Sequence, residues 1–181
     1  SPFATICVCH GIPARTRDAG DGGYPLLAER LCRQDFAILL FNFRGTGESS
    51  GNFDILGWTE DLKAAIDYLW TLPEVDKARL ALLGFSAGAA VGIHVAAKDS
   101  RIASVASCAS PAEFSFAEAN PQSLIEQFRD LGIIRDRDFP PSVEGWLEGF
   151  RVVSPIQHVA RIAPRPILFV HGSEDDVMAV S

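Results

Sequence analysis

Five short runs of nearly unbroken apolar residues constrain this chain more than any other feature: Phe3–Cys9, Phe36–Phe43, Arg79–Gly84, Arg101–Cys108 and Arg165–Gly172. Each is too short for a buried helix, and each ends at glycine, histidine, serine or arginine, so each reads as a strand. Helical spacing fills the gaps. Tyr24–Arg33 sets Leu26, Leu27, Arg30 and Leu31 on a helical repeat. Trp58–Leu72 carries an apolar stripe of Leu62, Ala65, Ile66 and Leu69, with Asp61, Lys63 and Asp67 expected to face away, and Pro73 stops it. Ala87–Lys98 is a helix of small residues. Strands that are apolar throughout and separated by helices predict an α/β fold, a mostly parallel sheet with helices on both faces. The stretch from Pro111 to Pro164 is more polar and carries Phe114, Phe116, Phe128, Trp146 and Phe150. It is expected to form a small helical lid within one domain spanning 1–181. Most of those aromatics are expected to pack onto the sheet and some to line a pocket.

Composition narrows the partners. The 181 residues carry a formal charge of −7 with no cluster of lysine and arginine, which argues against a nucleic-acid partner. The run Arg135–Asp138 reads as a solvated loop. Cys7, Cys9, Cys32 and Cys108 show neither a C-x-x-C pair nor metal-ligand spacing, so buried free thiols in a reducing, cytoplasmic setting are expected. No apolar run approaches the ~20 residues of a membrane span, and no signal peptide is visible. The chain opens Ser1-Pro2-Phe3 without a methionine, which leaves its true start open.

Ligands on parallel sheets collect at the carboxyl ends of the strands. There the sequence gathers His10-Gly11, Arg44-Gly45, Gly84–Ser86 and His171–Asp176. Gly84-Phe85-Ser86-Ala87-Gly88 matches G-x-S-x-G between a strand and a helix, the context of a nucleophile elbow. On such a turn the serine backbone is strained, and Gly84 and Gly88 remove collisions. The following helix turns its free amides toward Ser86. The alternative is a serine that merely caps the helix.

With these residues in place the chain resembles the α/β-hydrolase superfamily from Phe3 to Val180. "CHGIPA" is similar to the family's H-G-x-P segment, where the resemblance implies that the Ile12 amide forms half of an oxyanion hole and the Ala87 amide the other half. His10-Gly11 as a plain strand terminator is the alternative. "FNFRGTGESSG" resembles the family's rim loop, which implies that Arg44 and the loop glycines shape the rim of the site; His10 and Gly11 of the oxyanion segment and Gly84 and Gly88 of the elbow are the other site-shaping residues. Glu48 either pairs with Arg44 or stays solvated. "ILFVHGSEDDVMAV" is similar to the segment bearing the triad acid, which implies Asp175 as the acid and Asp176 as its solvent-facing neighbour. Met178-Ala179 departs from the usual Val-Pro. An acidic loop without a catalytic role is the alternative.

The resemblance implies a histidine after the acid, and none follows. His10 belongs to the oxyanion segment. His94 lies two turns beyond Ser86 and is expected to be packed or capping, His158 sits before the last strand, and His171 is expected to hold loop backbone. The sequence is therefore expected to be a fragment lacking leading strands and a closing histidine segment, and inert by itself. Two strands would become sheet edges, which favours a homodimer. The expected function of the intact protein is a serine hydrolase acting on a small-molecule carboxylic ester, without metal or organic cofactor and without nucleic-acid or membrane partners. An aminopeptidase-like or acyl-peptide hydrolase and a non-catalytic binding module are the alternatives.

Overall fold

In a computed structural model, which describes residues 1–14 and 22–175, five parallel strands form one sheet in the order β2-β1-β3-β4-β5. They are β1 (Phe3–Cys9), β2 (Ala37–Leu40), β3 (Val75–Phe85), β4 (Ser104–Cys108) and β5 (Ile167–Val170). Register is continuous at the end that matters: Cys9 lies beside Gly84, Phe85 beside Cys108, and Cys108 beside Val170.

The second apolar run makes a shorter strand than its sequence suggests. Pairing stops at Leu40, and the chain turns inward so that Phe43, fully buried, stacks on Trp58 at 4.4 Å and 8°. Phe43 is thus apolar because it enters the core beyond the strand. β3 is longer than expected, running from Val75 past a register shift near Phe3 and Thr5.

Helix α1 (Gly23–Cys32) contributes no fully buried residue, whereas α2 (Ile55–Thr71) and α3 (Ala87–Ala96) form the heavy layer of the core. The Asp54 side chain accepts the Leu56 N–H at 3.1 Å, so α2 starts at Ile55, three residues before the expected Trp58. Leu72, ahead of Pro73, is extended and ends it. Every residue of α3 is buried, which its glycines and alanines permit at close range to the sheet.

Between β4 and β5 lie α4 (Ser115–Ala119), α5 (Pro121–Asp130), α6 (Val143–Val153) and two short 3-10 turns. Phe114, Phe128, Trp146 and Phe150 are buried in an edge-to-face aromatic cluster centred on Phe53, while Phe116 is exposed. Those four rings are core, but they pack on Phe53 and the α2 layer and not directly on the sheet as expected.

Candidate active site

The bend after β3 has the geometry its glycines suggest. Ser86 adopts φ 51 and ψ −124, a left-handed conformation that typically costs a non-glycine residue about 1–3 kcal/mol. Its N–H donates to the Cys108 carbonyl at 2.9 Å, and its own carbonyl accepts the Ala89 and Ala90 amides that begin α3. The hydroxyl makes no capping bond to the helix, which removes the capping alternative. A Cβ at Gly84 would run into the Ala89 backbone, and one at Gly88 would overlap the Cys9 and His10 carbonyls. A Cβ at Gly11 would stand 3.1 Å from the Ser86 Cβ, so the His10–Ile12 segment passes directly beside the serine.

That segment is fixed by bonds to its backbone. His10 Nδ1–H donates to the Gly11 carbonyl at 2.7 Å, and His10 Nε2 accepts the Phe43 N–H at 3.2 Å. The two bonds together require the neutral ring protonated on Nδ1. Burial pushes the imidazole below its ordinary value, against the opposing pull of the Gly11 carbonyl. Since the Gly11–Ile12 peptide is planar, holding its oxygen also aims the Ile12 N–H in the opposite direction. Ala87 occupies the first turn of α3, where backbone amides have no helical acceptor.

Arg44 differs from expectation. Its partner is Asp61, not Glu48: Arg44 Nε and Nη2 and the Arg44 backbone N–H all reach the Asp61 carboxylate at 2.7 to 3.1 Å. The contact holds the Arg44 guanidinium above its usual range. Asp61 lies on the flank of the α2 stripe, so it meets the rim loop rather than open solvent. Arg135 adds a second contact to the rim. The run Arg135–Asp138 is an exposed loop, as expected, but the Arg135 guanidinium also donates to the Gly45, Gly47 and Ser49 carbonyls and straps the rim in place. Neither partner was legible in sequence, because both bonds span long chain separations and no local motif marks them.

Asp175 lies in the loop directly after β5. Its carboxylate lies 3.6 Å from His171 Nε2, and its N–H donates to the Gly172 carbonyl at 3.2 Å. His171 thus faces this carboxylate, where loop backbone had been expected. With β4 between them, the ends of β3 and β5 stand about 10 Å apart, a span that one imidazole with its hydrogen bonds can bridge. Asp176, Met178 and Ala179 lie outside the described residues.

His94 and His158 pair with each other away from the bend. His94 Nδ1 and His158 Nε2 both approach the Val152 carbonyl, at 3.2 and 2.6 Å, and Lys98 Nζ donates to His94 Nε2 at 2.8 Å. Burial, with the nearby Lys98 and His158, lowers His94 to about 4. His94 is packed, as expected.

A cavity of about 800 Å³ opens beside the oxyanion segment, lined by Ile12, Tyr24, Leu27, Leu40, Phe41 and Phe85 among others. No carboxylate occurs among its described lining residues. The aromatics between β4 and β5 are absent from that lining. Among the described residues, no group of three or more histidine, cysteine or acidic side chains could hold a metal ion, and no helix is long and apolar enough to cross a membrane.

Comparison with known proteins places this geometry. A family model described as alpha/beta hydrolase fold matches residues 4–152. The uncharacterized protein YfhR of Salmonella typhimurium is 31% identical over 97% of this chain and 55% of its own length. The chain therefore spans about half the length of the curated relatives it matches over nearly all of its own. Among solved structures, an esterase from Pyrococcus furiosus superposes with a TM-score of 0.67 at 23% identity, over 99% of this chain and 64% of the other. The acylaminoacyl peptidase of Pyrococcus horikoshii also gives 0.67, at 18% identity, covering 99% of this chain and 29% of that one.

Proposed function

From the premise that this chain belongs to the alpha/beta hydrolase fold family, we propose that it carries the nucleophile half of a serine hydrolase that cleaves small carboxylic esters. The observation that carries the reading is Ser86: strained, uncapped, and set against Gly11 at the carboxyl edge of the sheet. Ser86 Oγ adds to the ester carbonyl while a histidine takes its proton. The Ile12 and Ala87 amides receive the resulting oxyanion. Collapse breaks the C–O bond to the alcohol, which leaves with the proton returned by the histidine. Water then hydrolyses the acyl-Ser86 ester by the same steps and releases the carboxylic acid. Asp175 orients that histidine. Among the four histidines, His10 is held at Gly11 and Phe43, and His94 and His158 at Val152, whereas His171 lies against Asp175.

The side chains of Leu27, Leu40, Phe41 and Phe85 in the cavity wall suit an apolar acyl or alcohol group. The test uses the full-length protein. It should hydrolyse p-nitrophenyl acetate or butyrate faster than aminoacyl anilides, a fluorophosphonate should label Ser86, and Ser86→Ala should abolish both. Preference for the anilide would shift the reading to an aminopeptidase-like enzyme. Neither turnover nor labelling would leave a hydrolase-like binding module.

A further inference from the structure

Gly11 poses a problem that its neighbours solve. Glycine gives the closest approach here, because a Cβ would crowd Ser86 and the Phe85 carbonyl at 3.1 and 3.2 Å. Glycine, however, is the residue least able to hold its own φ and ψ, and it connects the two peptides that decide where the Ile12 amide points. His10 Nδ1–H fixes the second peptide through the Gly11 carbonyl. The first peptide, His10–Gly11, needs its own restraint: its oxygen faces the Gly88 backbone, and its N–H donates to the Tyr24 hydroxyl at 3.1 Å.

Tyr24 comes from the opening turn of α1, thirteen residues along the chain, immediately after Gly23 at φ 58. Its ring stands edge-on to Phe85 at 5.3 Å and tilted toward His10 at 6.2 Å, so it touches both the residue before Ser86 and the residue before Gly11. We propose that Tyr24 is a positioning residue for oxyanion stabilisation: by accepting the Gly11 N–H, its hydroxyl locks the His10–Gly11 peptide and so keeps the Ile12 amide aimed beside Ser86. Without that acceptor, the Gly11 amide loses its protein partner at the edge of the cavity. The peptide is then free to rotate about a residue with no side chain.

The catalytic part of the inference rests on the hydrolase reading, whereas the clamp does not, and the test separates them. Tyr24→Phe in the full-length protein keeps the ring and removes the oxygen. Hydrogen exchange at the Gly11 amide should accelerate about tenfold or more, the loss expected when one hydrogen bond of ordinary strength disappears. In turnover, kcat on a p-nitrophenyl ester should fall about tenfold with KM nearly unchanged, less than the 100-fold or more that follows loss of an oxyanion donor itself. The oxoester-to-thionoester rate ratio should narrow, because sulfur draws less from the oxyanion amides. A purely structural role would lower thermal stability and leave that ratio alone. Unchanged Gly11 exchange overturns the clamp whether or not the protein turns over ester. Faster exchange with unchanged kcat and ratio overturns the positioning role. Should wild type and Ser86→Ala both be inert, the hydrolase reading fails, and the exchange measurement still decides the clamp.

Discussion

The two faces of the sheet are unequal. On one, Thr5, Cys7, Cys9, Leu80, Leu82, Val105 and Ser107 are buried beneath α3 and the neighbouring α2 and α6. On the other, Val8 is buried, but Ile6, Leu83, Phe85, Ala106 and Cys108 are only half-buried. The edge strand β5 is open on both faces, with Leu168 and Val170 60% and 50% exposed here and Phe169 57% exposed on the other, and α1 is the helix that packs on this face, against β2. The site joins both. Ser86 springs from the heavy face through α3, while Tyr24 and the cavity belong to the light one. A rigid layer holds the strained bend, and the side that shapes the cavity carries less packing energy.

The largest effect expected from this asymmetry is at Gly84. Gly84→Val would drive side-chain atoms into the Ala89 backbone and should cost about 4 kcal/mol or more, read as loss of the cooperative urea transition. Leu82→Ala, in the same layer, should cost about 3 kcal/mol in the same measurement. A comparable loss at Leu168 would break the comparison.

A pH titration sharpens it on the heavy face alone. Folded His94 stays neutral down to about 4, whereas in the unfolded chain it takes a proton near 6.5. Its contribution is therefore complete above pH 6.5, drains as pH falls toward 4, and levels off below. The total is up to about 3 kcal/mol. His94→Asn should flatten unfolding free energy across that window. The smallest effect is expected on the open face, where Leu168→Ser should change stability by less than about 0.5 kcal/mol.

The strands, the elbow and its glycines were readable because each is a local pattern with a local cause. The Ser86 conformation follows from Gly84 and Gly88, and the α3 composition from its closeness to the sheet. The misses were contacts between distant segments. Periodicity put Asp61 off the apolar stripe but could not show that Arg44 waits there. Arg135 looked like one charge in a mixed run, yet it serves three carbonyls of the rim loop. Tyr24 sits in no motif, and its hydroxyl gains meaning only when the fold brings Gly11 to it. β5 reads as fully buried because an apolar run reports a preference for cover without reporting what supplies it.

β4 touches both halves of the proposed triad through its last backbone atoms. The Cys108 carbonyl accepts the Ser86 N–H, and the next residue, Ala109, at φ 50, donates its N–H to the Val170 carbonyl at the root of the Asp175 loop. Two adjacent residues thus act as a gauge block between serine and carboxylate. Evolution could remodel the loops above them freely, but any insertion in this short strand would shift both reacting partners in one stroke.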